Sequence, residues 1–168
     1  SGATAKDYSR YENHGTISGA VTAQGKKGNA LQFDGSNDYV RVPHKSSLNF
    51  GTGDFSIDAW IKPRSVIGRQ PIVEKRNLPF VPQAGYLFYV ADGVLMLVMT
   101  TPAGNEAYPG PTIQPNVWTH VAVTVNRTGA GRFYTDGLPH PPSDFTPLNG
   151  SLNTGSVLFI GASFVNAA

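Results

Sequence analysis

Two stretches of strict alternation stand out along the chain. In Gly53 to Pro63, Phe55, Ile57, Ala59 and Ile61 alternate with Ser56, Asp58, Trp60 and Lys62. In Asn116 to Val125, Val117, Thr119, Val121, Val123 and Val125 alternate with Trp118, His120, Ala122 and Thr124. Period two sends successive side chains to opposite faces of a sheet, so each stretch predicts a strand with one aliphatic face. Both tryptophans then stand on the second, less aliphatic face. That face is either a second buried layer or a ligand platform. By area, burying an indole is worth on the order of 3 kcal/mol, so the expectation is that Trp60 and Trp118 pack under neighbouring loops.

Shorter segments fill in the rest. Ile17 to Ala23 predicts one strand, and Ala30 to Phe33 and Tyr39 to Val42 predict a hairpin across the polar turn Asp34 to Asp38. Ser46 to Phe50 suits a single helical turn. Ile72 to Lys75 is a short strand, followed by an ordered loop over 76–84. Gly85 to Ala91 and Val94 to Thr100 form a hairpin across Asp92-Gly93, a dipeptide suited to tight two-residue turns. Residues 102–115 read as a long Gly/Pro loop. Arg132 to Thr135 is followed by an Asp136-Gly137 turn, residues 138–151 by composition form a Pro-rich excursion, and Ser156 to Ile160 ends the series. About ten short strands at this spacing predict an all-β, two-layer antiparallel β-sandwich, with residues 1–168 as one domain.

Composition narrows the function classes. With 168 residues, 40% hydrophobic and 14% charged, the chain can bury a core and is not of disordered type. No apolar run approaches the ~20 residues of a membrane span. A net charge of +2 with scattered basic residues, and no recognition helix, gives no support to nucleic-acid binding. There is no cysteine, so disulfides play no part and the redox compartment stays open. The sequence starts at Ser1, without methionine or a leader pattern, which suits a processed protein or a piece of a longer one.

Several blocks in order carry a resemblance. They are Asp7-Tyr8-Ser9 with Asn13-His14-Gly15-Thr16, then GNALQFDGSNDYVRVP, GDFSIDAWIKP, VWTHVAV, the FYTDG turn and FIGAS. Together they resemble the laminin-G-like jelly rolls of the concanavalin A-like lectin/glucanase superfamily, along nearly the whole chain. The resemblance implies the jelly-roll form of the sandwich and treats both tryptophans as framework. It also implies an opening strand ahead of the Asp-x-Ser segment and a closing strand after FIGAS, both missing here. The expected consequence is an open sheet edge that a neighbouring chain, domain or second copy completes.

The family often holds a rim calcium through the Asp of its opening segment. Carried over, the metal candidates are Asp7, Asn13 and Gly15, the carboxylate supplemented by loop oxygens as a hard cation requires. The family's acidic ligand from the end of the chain has no counterpart here, and Asp7 capping its own turn is the competing reading. Asp34 and Asp38 read as a hairpin turn. For a glycan or protein ligand, the expected platform is a rim of loops carrying Arg69, Arg76, Asn77, Tyr86, Asn105 and Tyr108. The alternative platform is Trp60, Trp118 and His120, because a flat ring suits the C–H face of a sugar.

Catalysis has no clear candidate. Glycosidases of this fold need two carboxyl groups about 5–9.5 Å apart. Glu12, Glu74 and Glu106 are dispersed, and Asp54 and Asp58 are not marked by the resemblance. No Ser or His sits in a nucleophile-like context. Two sequons, Asn126-Arg127-Thr128 and Asn149-Gly150-Ser151, matter only for secretion from a eukaryote. The reading is a non-catalytic, lectin-like binding or adhesion module of an extracellular or surface-exposed protein, by itself or appended to a hydrolase. The alternative is a structural subunit of an extracellular or viral assembly completed at its open edge.

Overall fold

A computed structural model describes residues 2–78, 82–146, 148 and 150–163. Fourteen strands and a 3₁₀ turn at Ser46–Leu48 account for the regular structure among them. In chain order the first seven strands are β1 (Thr4–Ala5), β2 (Gly15–Ser18), β3 (Val21–Gln24), β4 (Asn29–Gln32), β5 (Tyr39–Val42), β6 (Phe55–Ile61) and β7 (Arg69–Arg76). The rest are β8 (Gly85–Ala91), β9 (Val94–Thr101), β10 (Gly104–Thr112), β11 (Thr119–Val125), β12 (Ala130–Thr135), β13 (Leu138–Asp144) and β14 (Leu158–Ile160). The large sheet has the order β1-β2-β5-β14-β7-β8-β9-β10, the small sheet β13-β12-β11-β6, and β3-β4 stand as a separate hairpin. All pairings are antiparallel. The two-layer β-sandwich predicted from the alternation is the observed architecture.

The core lies between the two sheets. Phe55, Val121, Val123, Val125 and Phe133 of the small sheet face Phe88, Val90, Leu95, Leu97 and Met99 of the large one, with Phe145 and Leu152 sealing an end. Each such side chain contributes roughly 1.5–3 kcal/mol of transfer free energy on burial. A second cluster of Val40, Val42, Tyr86 and Leu158 continues the core toward the 3₁₀ turn, where Phe50 stacks on Phe55 at 4.2 Å. Asp92-Gly93 and Asp136-Gly137 have positive φ at both central positions, the geometry whose twist matches paired strands.

Four local expectations change. Ile17 to Ala23 is not one strand: the chain bends at Gly19, φ 73°, where a Cβ would collide with the Asp38 carboxylate. Ala30 to Phe33 does not pair with Tyr39 to Val42. β4 pairs with β3 and β5 with β2 and β14, so the Asp34–Asp38 turn links two separate sheets. That turn is still built as expected, Asp38 Oδ2 accepting from the Asp34 N–H and Asp34 Oδ1 from the Ser36 N–H, both at 2.8 Å.

The stretches read as a Gly/Pro loop and a Pro-rich excursion contain β10 and β13. Each is an outermost strand, and a proline without an N–H is tolerated on the unpaired side of an edge. The opening-strand part of the edge expectation is also corrected. Thr4–Ala5 forms a short strand ahead of Asp7, and the FIGAS strand β14 lies inside the large sheet between β5 and β7. The segment after Ser163, where a closing strand was expected, lies outside the described residues. Among the described residues the large sheet ends in the two-residue β1 and in β10 with Pro109 and Pro111, both poor templates for another chain, while β6 is an outermost, proline-free strand of the small sheet.

Candidate functional site

The outward set of β6 and β11 builds an open face on the small sheet. Register places Trp60 opposite His120, Asp58 opposite Ala122 and Ser56 opposite Thr124. On the other side of β11, Ala122 faces Tyr134 and Thr124 faces Arg132. Ala122 is therefore a small floor with Asp58 and Tyr134 beside it and Trp60 and His120 toward one end. Trp60 is 42% exposed, against the expectation that it packs under a loop. Trp118 immediately precedes β11 and is half-buried.

Hydrogen bonds order this face. The His120 ring tilts 56° against Trp60 at a centroid distance of 5.4 Å, and its Nε2 donates to Asp58 Oδ1 at 3.2 Å. The Asp136 carboxylate, from the β12–β13 turn, accepts the His120 backbone N–H at 2.9 Å. From the Gly25–Gly28 turn of the β3–β4 hairpin, the Lys26 ammonium lies 5.4 Å from the centre of the Trp60 ring. Such a face offers a flat apolar ring, a carboxylate acceptor and cationic donors, the combination that grips a sugar's C–H surface and its polar substituents.

The expected rim residues do not form one platform. Tyr86 is in β8 and 2% exposed, its hydroxyl donating to the Leu48 carbonyl at 3.0 Å, and burial pushes its pKa up. Arg76 is on β7, 6% exposed, and donates to Glu74 Oε1 at 2.7 Å. Tyr108 is in β10 and buried against Phe145 at 4.6 Å, and burial, then the Glu106 charge, raises its pKa. These three leave no surface for a ligand. The Asn77 side chain ties its own loop, donating to the Pro82 carbonyl at 2.6 Å and accepting from the Ala84 N–H. Arg69 is exposed and lies over Tyr89 at 4.9 Å, and Asn105 accepts from the Thr100 hydroxyl at 3.0 Å.

The Asp7 carboxylate does not fit a cation. Oδ1 accepts the Ser9 N–H, and Oδ2 accepts the Asn13 N–H and the Ser9 hydroxyl, each at 2.8 Å. Those donors hold its pKa below the ordinary value, the Ser9 N–H contributing most. Donor hydrogens point where a calcium needs its neighbours' oxygens. Asn13 Oδ1 already accepts from the Ser47 hydroxyl, and Gly15 is buried within β2. Asp7 is a turn organiser, and among the described residues no three His, Cys, Asp or Glu side chains gather as a metal site.

Sequence reasoning missed Lys26 and Tyr134 altogether. The face that Tyr134 takes was present in the alternation of Arg132 to Thr135, and its register against Ala122 comes from the pairing of β11 with β12. No local signal brings Lys26 to Trp60, since the contact spans two separately paired units.

The laminin-G-like family model, described as Concanavalin A-like lectin/glucanases superfamily, matches residues 34–168. The chain belongs to that superfamily. No curated protein matches it. Among solved structures, the binding domain of Paraclostridial Mosquitocidal Protein 1 superposes with a TM-score of 0.77 at 20% identity, over 96% of this chain and 43% of that one. The receptor binding domain of botulinum neurotoxin C/D mosaic serotype gives 0.74 at 15% identity, over 93% and 40%. The botulinum neurotoxin serotype D ligand binding domain, solved with N-acetylneuraminic acid, gives 0.69 at 16% identity, over 93% and 39%. At these identities the likeness is one of fold. The chain spans about two fifths of those structures.

Proposed function

We propose that this domain is a non-catalytic glycan-binding module of a secreted or surface protein, with the open face of the small sheet as its contact surface. The observation that carries the reading is the solvent-exposed Trp60, framed by His120 and Asp58 on a rigid strand pair. A ring of that size left open on an otherwise well-packed sandwich costs burial that the fold had available. Superfamily membership supports it, as does the likeness to toxin binding domains, one of them solved with a sialic acid.

The carboxylates support a binding rather than a hydrolytic role. Asp54 accepts the Arg127 backbone N–H at 2.7 Å, Glu74 holds Arg76, and Asp58 holds His120. None of the described residues forms a helix able to cross a membrane. Among the described residues β1 is short and β10 and β13 carry prolines, whereas β6 is an outermost, proline-free strand paired only with β11. That edge supports the second reading, an assembly subunit completed by a neighbouring chain. Glycan-array binding of the purified domain, with and without chelator, is the test. Binding in both conditions is the expected result, and silence across the array overturns the reading.

A further inference from the structure

The charges around Trp60 are unbalanced. Lys26 lies over the indole, Lys27 is beside it in the same turn, Lys62 follows β6 and is exposed, and Arg132 stands on the same face two strands away. Two carboxylates lie nearby, Asp58 and Asp136; both accept hydrogen bonds from His120, Asp136 from a neutral backbone N–H that leaves its charge in place, so the three lysines outnumber them. Among the described residues the contacts at salt-bridge distance are Arg76–Glu74 and the His120–Asp58 hydrogen bond, so neither Lys26 nor Lys62 has a carboxylate partner. Arg132 donates to the His140 carbonyl at 3.0 Å, a neutral acceptor that leaves its charge uncompensated.

Building on the glycan-binding reading, we infer that the Trp60 face selects an acidic sugar, a pyranose bearing a carboxylate or sulfate. The ring's C–H face packs on the indole, and the anionic group takes the Lys26 ammonium. The Asp58 oxygen not engaged by His120 accepts a sugar hydroxyl. Lys26 at present has only the quadrupole of an aromatic ring as its counter-charge, a weak contact at an exposed site. A charge-assisted hydrogen bond to an anion is stronger, so an acidic ligand gains where a neutral one must displace the ammonium without replacement. The lysine thus discriminates by occupying the ring that a neutral sugar needs. The two-lysine turn Gly25–Gly28, closed by a Gly25 N–H to Gly28 carbonyl bond at 2.8 Å, gives it a fixed origin.

Calorimetric titration of the whole domain with lactose, sialyllactose and sulfated lactose tests this. Both acidic sugars should bind at least ten-fold tighter than lactose, and the advantage should shrink as NaCl rises. Lys26→Gln should abolish the advantage and, by freeing the indole face, strengthen lactose binding, and Trp60→Ala should weaken all three at least ten-fold. If only one acidic sugar is preferred, the acid class narrows to carboxylate or to sulfate and the inference stands. Equal binding of all three, with Trp60→Ala still deleterious, overturns the acid preference and leaves the glycan reading intact. Tyr8→Ala, at a 90% exposed aromatic on a different loop, is the control. Loss there with Trp60→Ala silent moves the site and overturns the inference. No binding by any sugar overturns both readings.

Discussion

On the outer side of the large sheet, Leu87, Tyr89 and Val98 are buried together with the Glu74–Arg76 pair, whereas on the outer side of the small sheet Asp58, Trp60 and Arg132 meet solvent. The strands differ in pattern. β8 and β9, YLFYVA and VLMLVM, are apolar on both faces, and β6 and β11 alternate. An unbroken apolar strand declares two dry sides, an alternating one declares a wet side. The wet side here carries Trp60, His120, Asp58, Tyr134 and Arg132 beside Ser56 and Thr124, more aromatics and charges than an idle surface needs. One sheet therefore serves as the structural wall and the other as the presenting surface.

The sharpest way to break that contrast uses the Glu74–Arg76 ion pair and the Asp58–His120 hydrogen bond. Glu74→Ala should destabilise by about 3–5 kcal/mol, since it strands a buried guanidinium. Asp58→Ala should cost no more than about 1 kcal/mol, because its carboxylate is largely exposed. Urea midpoints of the two variants decide it, and equal losses would erase the distinction. Next in size, Leu87→Ala should cost about 2–5 kcal/mol in the same measurement. Trp60→Ala should cost about 1 kcal/mol or less, and a loss as large as that at Leu87 would make Trp60 a packing residue.

The third prediction concerns pH. Lys75 is fully buried, its ammonium held by the Thr154 carbonyl at 2.6 Å, Asn49 Oδ1 at 2.9 Å and His44 Nδ1 at 3.3 Å. Burial lowers its pKa from 10.5 to about 8. The folded state sheds this proton before the unfolded chain does, so stability should rise between pH 8 and 10.5, by up to about 3 kcal/mol. Above pH ~10 the effect of Tyr86 runs the other way, because the unfolded tyrosine ionises while the buried one resists. Denaturant titrations should show the rise in the native protein and a flatter profile in Lys75→Met. An unchanged slope in the variant would assign the rise elsewhere. Smallest of all, millimolar calcium should leave the melting temperature within error of the chelated sample, and a clear upward shift would restore the metal reading of Asp7.

Part of the fold was legible because its causes are local. Asp92-Gly93 and Asp136-Gly137 dictate tight turns by their own backbone preferences, and the alternation of β6 and β11 dictates which side chains share a face. The candidate rim was misread for the opposite reason. Arg76, Tyr86 and Tyr108 look like binding residues by type, but their neighbours across the sheets bury them. Prolines 109, 111, 139, 141 and 142 argue against strands until the strands are known to be outermost, where the missing N–H costs nothing.

The sequence by itself determined a two-layer β-sandwich, the positions of its tight turns and the pairing of Trp60 with polar neighbours on one strand face. Tertiary structure decided which of the second faces is covered, that β14 is inserted between β5 and β7, and that a lysine from a distant hairpin lies over Trp60. Backbone preference and period-two geometry act within a few residues and survive any surroundings. Burial and charge proximity depend on what the rest of the chain brings alongside, and the fold alone sets that.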